Sequence, residues 1–277
     1  MALVQWLAQG GPKADKHRGW AHPIAVVFVH YAISTTLVWR LHDWLLPTAC
    51  DISKDSQTIA WRLLAYAVWM PVWRLSVEQR PLFRRGVLYE YCWLCNVTLV
   101  HGAFAWLTHR PYLATAYCTV VGIDQLLWYV DGLGFLIWRR FPVGVAQYLT
   151  WPKTSWITRI TSTHHWWTLP VLLSQTAPLE DHPFALWLLT LGIMIIHVSL
   201  SRWMVPASVG DKYLNVNLSH ELWKDLQQWE FLRINHANVW VYLWRLWWRW
   251  QAFNTVVFGV LFVLVKHVFH VDSPTVC

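Results

Sequence analysis

Seven long apolar runs separated by short basic segments constrain this chain more than any other feature. They lie at about 22–46, 58–77, 87–107, 112–138, 157–175, 183–205 and 248–269. Each is close to the ~20 residues with which a helix crosses a bilayer. Lipid supplies no partners for backbone N–H and C=O groups, so a crossing segment must close its hydrogen bonds within itself. No set of alternating polar and apolar residues recurs, which excludes a membrane β-barrel. Charged residues make up 13% of the chain, about half the share usual in a soluble domain. The 24 tryptophans suit membrane–water interfaces, where the ring is buried and its N–H wetted. The expected fold is all-α: a polytopic transmembrane bundle of about seven spans, integral to a membrane and without a separate soluble module.

Charge sets the orientation. With the N-terminus inside, 17 of the 22 Lys and Arg residues fall in the inner segments 1–21, 72–86, 139–159 and 202–249. The remainder are Arg40, Lys54, Arg62, Arg110 and Lys266. This bias follows the positive-inside rule. The net charge of +7 points to lipid head groups and away from nucleic acid, because the basic residues sit in short loops between apolar runs. Residues 1–21 form a basic lead, with a short interfacial helix at about 3–7. Residues 22–205 form a six-span bundle, 206–247 an interfacial basic and aromatic connection, and 248–277 the last span and tail. No cleavable leader is expected, and the first span serves as the insertion signal. The partners implied are membrane lipids and other membrane subunits.

Polar residues inside apolar runs mark function by default. Cys95 lies about eight residues into the third span, roughly 12 Å from its inner end at 1.5 Å per residue. His164 and His165 in the fifth span, Asp131 in the fourth, His30 in the first and His197 in the sixth have similar depths. Asp124 and Gln125 stand two turns further out. A thiol acts as a nucleophile when a base takes its proton and an acceptor orients that base. Cys95 as nucleophile, His165 or His164 as base and Asp131 as orienting group make such a set. Asp124, Gln125, His197, His30, Asn215 and Asn217 stand in support. Triads are recognised by geometry, so their order in the chain is no obstacle. The depth, just beneath the inner head groups, suits the ester of a phospholipid.

The same residues fit two other roles. Polar side chains bridge membrane helices, so the layer also suits a non-catalytic subunit or scaffold whose tryptophans face lipid or a partner. Histidines such as His30, His101, His164, His165 and His197 also suit haem or metal ligation. Against this, Thr161-Ser162-Thr163-His164-His165 lacks the first histidine of a histidine box, and no partner box appears. No cofactor and no metal is expected. Cys92-x-x-Cys95 has redox or metal spacing without a second such pair, and Cys92 is expected to pack as a small apolar group.

Three short motifs carry a resemblance. Leu94-Cys95-Asn96-Val97, then Gly122-Ile123-Asp124-Gln125 with Asp131, then Thr163-His164-His165 through Leu169-Pro170 resemble the YwaF-like integral membrane proteins. That family is similar to a wider group of six- or seven-span proteins that includes membrane acyltransferases and androgen-induced lipid hydrolases. The resemblance covers about residues 85–220. It implies a helical membrane fold, a lipid acyl substrate and a catalytic Cys–His pair, here Cys95 with His165 or His164. Tyr213-Leu214-Asn215-Val216-Asn217 is similar to the family's Asn-containing loop. Tyr91 and Trp93 stand where the family carries Pro and His before the Cys.

Overall fold

The apolar runs become α-helices. The computed structural model describes residues 19–46, 50–174, 182–210, 212–222, 229–264 and 275–276. The basic lead before residue 19, with its expected short helix, lies outside the described residues. In chain order the helices are α1 (Ala21–Leu45), α2 (Lys54–Val77), α3 (Pro81–Tyr89), α4 (Leu94–Leu107), α5 (Pro111–Trp138), α6 (Trp156–Thr161), α7 (His164–Leu173), α8 (Pro183–Met204) and α9 (Val239–Leu264). Four two-residue strands complete the set: β1 (Asp51–Ile52), β2 (Ser208–Val209), β3 (Lys212–Tyr213) and β4 (Thr275–Val276). β1 pairs antiparallel with β4, and β2 with β3. The fold is all-α, and α1, α5 and α8 are long and apolar enough to cross a membrane.

Two of the expected spans are broken. The third is α3, a 3-10 turn at Glu90–Cys92, and then α4, with Trp93 extended between turn and helix. The fifth is α6 and α7, separated by Ser162 and Thr163. The last helix starts at Val239, earlier than the expected 248. Asn238 explains this start. Its Oδ1 accepts from the N–H groups of Trp240 (2.9 Å) and Val241 (3.3 Å), which caps the first turn. Trp240, Trp244 and Trp248, spaced by four, form one exposed stripe along that helix.

α4 is buried almost all round, as its largely apolar sequence favours. α2 and α5 pack against it, and α5 also packs against α7, α8 and α9. α1 buries Pro23 and one stripe, His22, Val26, His30, Ser34, Val38 and His42, and packs on α8. The course of α5 positions the site. Every residue from Pro111 to Gly122 is buried, but beyond that point only Gln125, Trp128, Asp131 and Gly134 are. Its second half therefore leaves the core with one face turned inward, while Leu126, Val130, Leu133 and Leu136 are exposed. α7 comes close to that inward face because Gly132 has no side chain. A Cβ there would lie 2.0 Å from Cζ2 of Trp166.

Each end of the bundle is tied. At one end Arg110 grips Asp43 with two bonds (2.8 and 3.0 Å), and Cys50 is disulfide-bonded. At the other end the connection after α8 folds back on the bundle. Asn215 Oδ1 accepts from the N–H of His220 (3.0 Å), and its Nδ2 donates to the Glu221 carbonyl (2.6 Å). His220 lies in this connection. Burial pushes its pKa down to about 4, so it stays neutral and receives a bond from Arg202 (2.7 Å).

Candidate functional site

Both broken segments place a reactive side chain at the start of a helix. Cys95 is the second residue of α4. Trp93, the cap residue, supplies no side-chain bond, and Asn217 does so from the far connection. Its Oδ1 accepts from Leu94 N–H (2.8 Å), and its Nδ2 donates to the Cys92 carbonyl (2.8 Å) and to Ser201 Oγ (2.9 Å). Asn96 Nδ2 donates to the Glu90 carbonyl (2.7 Å). Asn215, Asn217 and Leu218 all have positive φ, an arrangement that costs energy and persists only when bonds of this kind hold it. The backbone N–H groups of Cys95 and Asn96 belong to the first turn of α4. These are the N–H groups that a helix leaves unpaired at its start.

His164 opens α7. The end of α6 leaves the Thr161 carbonyl free for it. His164 Nδ1–H donates there at 2.6 Å, and Tyr66 O–H donates to the same oxygen at 2.8 Å. That bond fixes the tautomer, so Nε2 carries the lone pair. Nε2 is buried and has no hydrogen-bond partner. His165, next in the chain, stacks flat on Trp128, with ring centroids 4.2 Å apart and an 8° tilt. Its Nδ1 is 3.0 Å from Gln125 Nε2 and 3.6 Å from Asp124 Oδ2. Donor atoms of Cys95, His164 and His165 all lie within 4.8 Å of one another.

Arg74 joins the two breaks. Its Nη1 pairs with Glu90 Oε2 (3.0 Å), just before α4, and its Nε donates to Thr161 Oγ1 (2.6 Å), just before α7. Lys212 Nζ takes the other Glu90 oxygen at 2.6 Å. A planar guanidinium fork holds both partners at fixed angles, which an ammonium cannot do. Sequence reasoning counted Arg74 only as an inner-end cation. Trp128, Tyr66 and Thr161 were also missed, and nothing in their local sequence marks them.

Asp131 does not orient either histidine, which corrects the sequence expectation. Its oxygens accept the backbone N–H groups of Val143 (2.7 Å), Gly144 (3.0 Å) and Ala146 (2.8 Å). The reason is length. α5 has 28 residues, or about 42 Å at 1.5 Å per residue, against a hydrocarbon core of about 30 Å. Asp131 lies about two turns before the end of α5 and ties down the loop that follows. Asp131→Ala strands three N–H groups, that of Ala146 buried and those of Val143 and Gly144 part-buried, and the buried one alone is worth about 1–3 kcal/mol. A clear fall in thermal stability in detergent is expected, with Cys95 still reactive toward a thiol reagent below the melting point.

His30 and His197 also stand apart from Cys95. They belong to a second buried group. His101 Nδ1 meets Tyr117 Oη at 2.5 Å, Tyr117 Oη meets His197 Nε2 at 3.0 Å, and Thr35 Oγ1 meets His101 Nε2 at 3.0 Å. The His30 and His197 rings are 5.2 Å apart, in contact with each other and not facing across a gap. This group bridges α1, α4, α5 and α8. The single expected polar layer is thus two clusters, with Asn217 supporting the first and Asn215 holding its own turn. No protein-family model, curated protein or solved structure matches this chain.

Proposed function

We propose that this chain is a multi-pass membrane protein of about seven spans that moves a lipid acyl group through a thioester on Cys95. The observation that carries this is the free imidazole nitrogen of His164 beside a thiol at a helix start. Support for the span count comes from the three long apolar helices together with α2, α9 and the two broken pairs. The basic end faces inward by the positive-inside rule. The Cys50 disulfide at the opposite end fits an oxidising compartment there.

In the proposed reaction His164 Nε2 takes the Cys95 proton and sulfur attacks the ester carbonyl. The carbonyl oxygen gathers negative charge, which the N–H groups of Cys95 and Asn96 are placed to meet. The C–O bond then breaks, and the leaving alkoxide takes the proton from His164. Attack by water or a second alcohol on the thioester, with His164 again as base, restores the thiol. Thr161 holds His164 in the tautomer this needs. Asp124 is about one-third exposed, while two surface hollows, at Trp138–Arg140–Pro142 and along 255–264, are lined by other residues. Access is therefore from the side, past Asp124, where the acyl chain stays in the bilayer and only the ester approaches the thiol.

The test is transfer or release of a labelled acyl chain from phospholipid by purified protein in lipid nanodiscs. Turnover above protein-free nanodiscs that disappears with Cys95→Ala supports the proposal. Equal turnover with Cys95→Ala removes it. Arg74→Lys keeps the charge facing Glu90 but loses the fork to Thr161. We expect turnover to fall about tenfold, the size of a one-bond positioning loss of about 1.4 kcal/mol. The Cys95→Ala background shows no such difference between Arg and Lys. The exposed tryptophan stripe of α9 favours a second reading, a subunit that meets a partner within the membrane. Cross-linking from Trp240, Trp244 and Trp248 positions to protein and not only to lipid supports it.

A further inference from the structure

Cys95, His164 and His165 are also the donor set of a thiophilic cation. We propose that they bind one Zn2+, and that bound zinc withholds the thiol from acyl chemistry. The binding stands on geometry alone; only its inhibitory effect rests on the acyl-transfer function proposed above. One sulfur and two imidazole nitrogens from these residues lie within 4.8 Å of one another. Zinc takes Cys sulfur at about 2.3 Å and His nitrogen at about 2.0–2.1 Å, so tetrahedral donors sit roughly 3.3–3.8 Å apart. The three donors need to close by about 1 Å, a motion that side-chain torsions supply. His164 Nε2 is free to make it, being buried without a hydrogen-bond partner.

The surrounding groups are those that hold zinc-bound histidines. A ligating imidazole gives its other nitrogen to a carbonyl or carboxylate, which fixes its tautomer and aims its lone pair. His164 does this through Nδ1–H to the Thr161 carbonyl. His165 Nδ1 lies 3.0 Å from the Gln125 amide and 3.6 Å from Asp124 Oδ2; with that amide turned so that its oxygen, otherwise buried without a partner, accepts from Nδ1–H, Nε2 is left for the metal. Soft sulfur and imidazole donors select zinc over magnesium or calcium, which prefer oxygen. Binding is stoichiometric in protons: Zn2+ displaces the thiol proton to solvent and forms a Zn–S bond. Three protein ligands leave a fourth position for water. While zinc is bound, its bond occupies both the sulfur lone pair and the base, so neither starts the attack on an ester.

The experiment uses Co2+ as a spectroscopic probe on the full chain in detergent after chelator treatment. Expected is a thiolate-to-cobalt charge-transfer band with strong d–d absorption, saturating at one ion per chain and displaced by Zn2+. Cys95→Ala removes the charge-transfer band, and His164→Ala weakens binding. Cys92→Ala and Cys118→Ala keep the full signal, which shows that the loss is not misfolding. Gln125→Leu leaves all three ligands in place and is expected to weaken binding 10–100-fold, the usual effect of losing such an outer partner. No charge-transfer band in the wild type, or a band that survives Cys95→Ala, overturns the site. A cobalt band in protein that never turns over lipid keeps the metal site and removes the acyl-transfer function. Turnover that is unaffected by saturating Zn2+ removes the inhibition.

Discussion

Cys95→Ala is expected to lower lipid acyl turnover at least about a thousandfold, the scale seen when a nucleophile is deleted from a working set. Cys95→Ser is expected to do nearly as much. A hydroxyl is far less acidic than a thiol, and a neutral imidazole leaves almost none of it ionised. The sulfur's position at the start of α4 deepens that contrast, since a helix N-terminus favours a thiolate. Cys92→Ala and Cys118→Ala are the matched controls, because both are buried free thiols. Turnover with labelled phospholipid distinguishes the outcomes. Full activity in Cys95→Ser shows that sulfur is not the attacking atom.

The second large effect belongs to His164. His164→Ala is expected to cost about 10²–10⁴ in rate, the range for loss of a positioned base. Its pH profile carries the mechanism. Without a base the thiolate forms only by ordinary ionisation, so the variant's rate climbs with pH beyond the range where the wild type has levelled. His165→Ala is expected to cost less, because His165 is held by stacking on Trp128 and by Gln125 and not by the carbonyl that sets the His164 tautomer. A larger loss at His165 than at His164 assigns the base to the wrong ring. The ratio of the two rates across pH decides the assignment.

Much of the fold was legible because apolar length and basic loops are strong signals. The runs that became α1, α5 and α8 needed only counting. The breaks did not announce themselves. Trp93 and Ser162–Thr163 carry neither Gly nor Pro, and the break at Trp93 is held by Asn217, more than a hundred residues later. Asp131 was misplaced because depth along a helix says nothing of which groups a side chain meets, here the N–H groups of the loop that follows. α5 carries Asp131 past the site, and Asp124 and Gln125, expected only in support two turns further out, are the ones that face His165. Arg74 escaped notice for the opposite reason. A cation near an inner end satisfies the charge rule, and nothing local shows that it bonds to Glu90 and Thr161 at once. Cys95 and the histidine pair were found because a thiol and adjacent imidazoles in apolar sequence are costly and therefore conspicuous.

The most direct measurement is the mass of the intact protein after brief incubation with phospholipid and quenching in acid. The account predicts one added acyl chain, carried on the peptide that contains Cys95, removed by neutral hydroxylamine as a thioester is, and absent from Cys95→Ala. An acyl chain on another residue, or turnover of lipid with no adduct in the wild type or in slow variants such as Gln125→Leu, contradicts it.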